Sequence, residues 1–147
     1  MRSIVLSAAL LLAACGPKPA TIEDLYTRPV TLTGGQVIEV ETMVDTRDLL
    51  RGLMFRTSLA PDRGMLFVHQ KPGNYSTWMY QHKIPLDILW MDEKHRIVEI
   101  VENAPPCPTV ASQCPHYGGA KTSQFMLELA AGGVKRYHLA AGQLVQW

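Results

Sequence analysis

The spacing of apolar and polar positions changes several times along the chain, and each change predicts an element. Over residues 37–44, Val37, Glu39 and Glu41 alternate with Ile38, Val40 and Thr42. That alternation predicts a strand with one wet and one dry face. Gly34-Gly35 separates this run from residues 30–32, so the two should form a hairpin. At Asp45 the period lengthens. Leu49, Leu50 and Leu53 make a short stripe at helical spacing, Thr46 is a candidate N-cap, and Gly52 keeps the helix brief. Short apolar runs at 65–68 and 77–80 follow turn signals at Asp62-Arg63-Gly64 and Lys71-Pro72-Gly73-Asn74.

The most apolar run outside the N-terminus is 86–91. Leu86, Ile88 and Trp90 should point to one face, and Asp87, Leu89 and Met91 to the other. Both faces are largely apolar, as in a strand covered on both sides. Pro85 lacks an N–H and belongs just before such a strand. Residues 92–95 close a hairpin onto 96–102. Residues 123–129 form another strand, with Phe125, Leu127 and Leu129 on one side. Residues 130–139 can make a final helical turn or two, weakened by Gly132-Gly133. Many short strands, little helix and frequent Gly and Pro predict a mainly β domain with short helices, arranged as a small antiparallel, barrel-like fold.

Asp87 breaks the apolar pattern of its strand, and a carboxylate there needs a partner. One reading is that it ties down a loop or pairs with an Arg, Arg51 being the first choice. The other is that it serves ligand binding or acid/base chemistry in a cleft. Arg47, Arg51 and Arg56 lie close together in sequence. They read either as a solvated face with an ion pair or as an anion site, since guanidinium forks match carboxylates and phosphates.

The chain has 147 residues, enough for one domain with a core. Hydrophobic residues make up 47% and charged ones 18%, which argues against disorder. Fourteen Lys and Arg stand against 13 Asp and Glu without a basic block, so nucleic acid is not an expected partner.

The N-terminus reads as an address. Arg2 precedes an apolar segment, residues 4–14, too short to span a bilayer. Leu12-Ala13-Ala14-Cys15 resembles the lipobox of bacterial lipoproteins. The resemblance implies cleavage before Cys15 and acyl chains upon it, and two or more chains anchor stably. Gly16 at the next position favours the outer membrane. The expected organisation is a signal peptide at 1–14, a lipidated tether at 15–29 and a monomeric, periplasm-facing domain at 30–147. With Cys15 lipidated, Cys107 and Cys114 remain as a pair. An oxidising compartment predicts a disulfide between them, in a Pro-rich loop without regular structure. The alternative, a metal or redox pair, fits their spacing poorly.

No nucleophile elbow, phosphate-binding loop or zinc-protease motif is present, and no cofactor or metal is signalled. The five His are scattered. Met54, Met65, Met79 and Met91 fall in predicted elements, where Met usually fills a core. Copper binding by Met and His is the less favoured reading.

Several ordered motifs resemble the DUF192 family of conserved bacterial proteins. They are Arg51-Gly52-Leu53-Met54-x-Arg56, Gly64-Met65-Leu66-Phe67, Trp78-Met79, Ile84-Pro85-Leu86-Asp87-Ile88, Arg96-Ile97-Val98 and Leu127-Glu128-Leu129-x-x-Gly132. The likeness covers residues 36–145. It implies one small β-rich, barrel-like domain with short helices, and no particular chemistry. The chain departs from the pattern at three places. Gln81-His82 replaces the usual Asn-Thr, His95 sits where Gly is favoured, and the Cys107 to Cys114 loop is an addition. The leading expectation is a non-catalytic binding module for a small molecule or an envelope protein, its cleft formed by Arg51, Arg56, Trp78, Met79, His82 and Asp87. The alternative is a hydrolase or isomerase with Asp87 as general base beside His82 or Arg51.

Overall fold

The computed structural model describes residues 27–108 and 110–147. The signal segment, Cys15 and most of the expected tether lie outside them. β1 (Thr27–Thr31) and β2 (Val37–Met43) form the expected hairpin, with Thr31 opposite Val37 and Thr27 opposite Glu41. Gly35 supplies the left-handed residue of its turn, at φ 81°. β1 begins before residue 30 and so takes in the last residues assigned to the tether.

β2 then runs parallel to β3 (Arg63–Gly73), with Glu39 opposite Arg63 and Met43 opposite Phe67. A parallel pair cannot be joined by a tight turn and needs a crossover. Residues 44–62 provide it and carry α1 (Thr46–Arg51). The N-cap is Asp45, not Thr46. The helix ends at Gly52, whose φ is 46° and whose missing Cβ would press on the Phe67 ring at 3.0 Å. Both the backbone twist and the close approach exclude a side chain there.

β5 (Leu86–Met91) has the predicted bounds and all six residues buried. It pairs antiparallel with β6 (Ile97–Ala104) and with β8 (Ser123–Ala130), and β8 pairs with β3. The six strands stand in the order β1-β2-β3-β8-β5-β6. The expected all-antiparallel arrangement is thereby corrected in one respect, the parallel β2–β3 pair. The outer strands β1 and β6 are both bridged by the C-terminal residues, Thr31 pairing with Gln146 and Arg96 with Leu144. The β5–β6 turn places His95 at φ 60°, the left-handed conformation for which Gly is favoured. There the imidazole stacks on Trp147, with ring centroids 3.6 Å apart.

A second, two-stranded sheet joins β4 (Ser76–Trp78) to β7 (His116–Gly118). β7 was not expected; it follows directly on the Pro-rich Cys loop. The Cys107–Cys114 disulfide closes that loop, with Cα atoms 5.8 Å apart, and a 3-10 turn (Ala111–Gln113) sits inside it. Gly118 lets β7 lie on Trp90, since any Cβ there would collide with the indole.

The main sheet is covered on both faces. On one, Leu66, Leu89, Met91, Leu127 and Leu129 pack with Val30, Ile38, Val40 and the C-terminal residues Val134, Leu139 and Val145. That layer includes α2 (Gly133–Arg136). On the other, Met65, Phe67, Ile88, Trp90 and Met126 pack with Leu53, Met79 and the disulfide. Alternation along β5 therefore sorts its side chains between two cores, as a doubly covered strand requires.

Candidate functional site

Asp87 faces the first core and is 1% exposed. Both its carboxylate oxygens are used. Oδ1 accepts the backbone N–H of Asn103 at 2.8 Å, and Oδ2 accepts that of Val134 at 2.8 Å. The carboxylate thus bolts the end of β6 and the start of α2 to the central strand. Such charge-assisted bonds to backbone are strong and leave little for a ligand. No salt bridge joins Asp87 to Arg51 among the described residues, so the expected pair does not form. The loop-anchoring reading of Asp87 fits this geometry, and the catalytic reading does not.

A cavity of about 240 Å³ opens on the opposite face of the sheet. Its wall is built by three pieces of chain. The α1 crossover contributes Leu49, Leu50, Arg51, Gly52 and Met54; β4 and β7 contribute Ser76, Thr77, Trp78 and His116; the sheet itself contributes Phe67 and Glu128. His82 enters from the loop before β5. Of the residues singled out in the sequence, Arg51, Trp78 and His82 meet here. Arg56 does not: it makes a bidentate salt bridge with Glu41 in an adjoining groove. Met79 is fully buried in the second core and does not reach the cavity.

Glu128 is the residue that sequence reasoning passed over. It is 1% exposed, and its strand neighbours on the same face are Met65 and Ile88. Its Oε2 has no hydrogen-bond partner among the described residues. Burial without a compensating charge pushes its carboxyl up to about 8. At neutral pH it is therefore mostly the neutral acid. The pattern of Phe125, Leu127 and Leu129 assigned one side of β8 and left the other unread. The available signal was Met126, an apolar residue on the same side of the strand as Glu128.

His82 is 5% exposed. Its Nδ1 lies 3.1 Å from the Tyr80 carbonyl oxygen, which can only accept. The neutral ring therefore carries its proton on Nδ1 and offers Nε2 as an acceptor. Nε2 has no partner. Burial lowers the imidazole below its usual value, and hydrogen bonding at Tyr80 and Met79 offsets this only in part. Gln81, at φ 59°, turns the backbone into this loop, and its carbonyl accepts the N–H of Phe55 at 3.0 Å. That bond ties the His82 loop to the crossover.

The rest of the wall is largely apolar and aromatic, with Arg51, Ser76, Thr77 and His116 as its polar members. Trp78 lies between Tyr80 and His116, with ring centroids 5.5 and 5.7 Å away. Arg51 is exposed at the cavity edge, and its guanidinium makes no hydrogen bond or salt bridge among the described residues. Ser76 Oγ stands 3.4 Å from His116 Nδ1 in an exposed contact, and among the described residues no carboxylate is bonded to the ring. Among the described residues, no three His, Cys, Asp or Glu side chains converge as a metal site.

Comparisons with known proteins agree with the motifs. The model of the DUF192 family, described as "Uncharacterized ACR", matches residues 29–147. A crystal structure from Sinorhizobium meliloti 1021, assigned provisionally as a transcription regulator, is 31% identical and superposes with a TM-score of 0.70. That likeness covers 80% of this chain and 89% of the other. A protein of unknown function from Novosphingobium aromaticivorans DSM 12444 is 28% identical with a TM-score of 0.77, over 96% of this chain and 99% of its own. No curated protein matches significantly. The chain belongs to the DUF192 family.

Proposed function

We propose that this DUF192 member is a lipid-anchored protein of the bacterial cell envelope, facing the periplasm, that binds a small ligand without transforming it. The site is the cavity among Arg51, Trp78, His82 and Glu128. The observation that carries this reading is the pair of buried polar atoms, Glu128 Oε2 and His82 Nε2, left without partners in an apolar-walled cavity. Buried polar groups are nearly always bonded, so two orphans sharing one cavity point to an occupant. Turnover is not supported. Asp87 is committed to backbone donors on the other face, and the Ser76–His116 contact is exposed and lacks an orienting acid. The lipobox at Leu12 to Cys15 supports the anchor, and Gly16 favours the outer membrane.

The binding reading is tested on protein purified from its native membranes, by mass spectrometry of whatever small molecules it carries. A compound should accompany the wild type in near-equimolar amount and be lost from Trp78→Ala. Absence of any such compound, with no metabolite raising the melting temperature, would sink the reading. The anchor is tested by Cys15→Ser, which should leave the protein uncleaved or released from membranes. Unchanged membrane fractionation of that variant, with no acyl mass on the wild type, would refute it.

A further inference from the structure

The chemistry of the cavity narrows its occupant, given the reading that it is a ligand site. We infer that the cavity receives a small organic ammonium compound with an anionic tail, its N–H groups donated to Glu128 and His82 and its tail held by Arg51.

His82 Nε2 can only accept while Nδ1 donates to the Tyr80 carbonyl. Glu128 Oε2 becomes an acceptor of the same kind once it is ionised. A ligand that satisfies both must bring donors, and an ammonium group brings three. It also brings the positive charge that the buried carboxyl lacks. The ring faces of Trp78 and Phe67 in the wall attract cations in addition. An anionic head at the same depth would meet the His82 lone pair and find one donor, the O–H of protonated Glu128, with no positive charge beside it. Anion recognition is confined to the rim, where the Arg51 guanidinium has no partner of its own among the described residues. A hard divalent cation would be poorly served, because among the described residues no three His, Cys, Asp or Glu side chains converge to hold one.

Binding should be linked to proton release. As the ammonium enters, the Glu128 carboxylic acid becomes a carboxylate and its proton leaves to solvent. The other titratable groups sharing the cavity are Arg51 from α1, His82 and His116. From β3 and β5, on either side in the sheet, Glu128 is faced by uncharged Met65 and Ile88. Glu128 is thus the group whose proton is displaced. Below its value of about 8, apparent affinity should fall roughly ten-fold per pH unit.

The test is isothermal titration calorimetry of the full lipidated chain in detergent, with γ-aminobutyrate, γ-hydroxybutyrate and n-butylammonium as probes. Near neutral pH, γ-aminobutyrate should bind at least about ten-fold more tightly than its hydroxyl counterpart. Titrations in buffers of different ionisation heat should show close to one proton released. Glu128→Gln should erase both the preference and the release. Arg51→Gln should weaken γ-aminobutyrate several-fold and leave n-butylammonium unchanged. Equal binding of the amino and hydroxy probes, or binding by the wild type without proton release, would overturn the inference. The wild-type proton count decides the matter even if Glu128→Gln misfolds. Discovery of a native ligand without an ammonium group would defeat this inference while leaving the binding function standing. Absence of any native ligand, with all three probes silent, would defeat both.

Discussion

Two buried carboxyl groups lie on adjacent central strands and point to opposite faces of the same sheet. Asp87 on β5 has both oxygens filled by backbone N–H groups. Glu128 on β8 has an oxygen with no partner among the described residues and opens on a cavity. Burial alone therefore says little about what an acid does. The bonds around it decide whether it holds the fold together or waits for a ligand. The faces differ in the same sense. Where Asp87 points, α2 and the C-terminal residues close the core. Where Glu128 points, the cover is assembled from a crossover helix and a small disulfide-tied sheet, and it leaves a gap.

Substitutions test this contrast, and the largest effect should come from Asp87. Asp87→Ala strands two buried backbone donors at roughly 1–3 kcal/mol each, so a loss of about 4 kcal/mol is expected in denaturant unfolding. A loss below about 1 kcal/mol would mean that Asp87 is not the bolt described here. On the other face, opening the Cys107–Cys114 bridge frees a loop of eight residues, 107 to 114, and should cost about 2–3 kcal/mol on the chain-entropy model. Reduction should also weaken ligand binding, because β7 lines the cavity. Unchanged affinity in reduced, folded protein would separate the bridge from the site.

Glu128→Leu should act in the opposite direction to Asp87→Ala. Replacing an unpartnered acid with an apolar side chain should stabilise by about 1–3 kcal/mol while abolishing binding. A destabilised Glu128→Leu would show that the carboxyl has structural partners. The wild type should carry a matching pH signature. Glu128 is raised from 4.5 to about 8 in the folded protein, so between those values the folded state holds a proton the unfolded state has lost. Its contribution to stability is full below 4.5 and declines as pH rises towards 8, at up to about 1.4 kcal/mol per pH unit. Melting curves across that range should slope accordingly, and Glu128→Gln should flatten the slope. The smallest effect tests the two faces together. Arg51→Ala and Asp87→Asn share no partner, so their losses should add within about 0.5 kcal/mol. Strong coupling between them would contradict the separation of the faces.

Much of the fold is legible along the chain. Alternation defined β5 to the residue and placed Asp87 with Leu89 and Met91, and the same face carries them in the structure. Gly34-Gly35 marked the first hairpin, and the parity of the Cys residues foretold the disulfide. These features rest on local physics: the period of a strand, the backbone freedom of Gly, and the pairing of two thiols close in sequence. The site was only partly legible. Arg51, Trp78 and His82 do converge, while Arg56 is spent on Glu41 and Met79 on the core. Glu128 was hidden because an alternating strand looks the same whether its polar side meets water or a second layer.

That second layer is decided in three dimensions. The parallel pairing of β2 with β3 forces residues 44–62 across the sheet, and pairing of β4 with β7 brings distant segments over Trp90 and beside Glu128. The sequence by itself determined the strands, the turns and which residues share a face, because those depend on neighbours a few positions away. Tertiary structure alone decided which polar residue is buried, which of the buried ones is satisfied, and where the cover falls short. Those outcomes depend on contacts between segments far apart in the chain, and no local pattern records them.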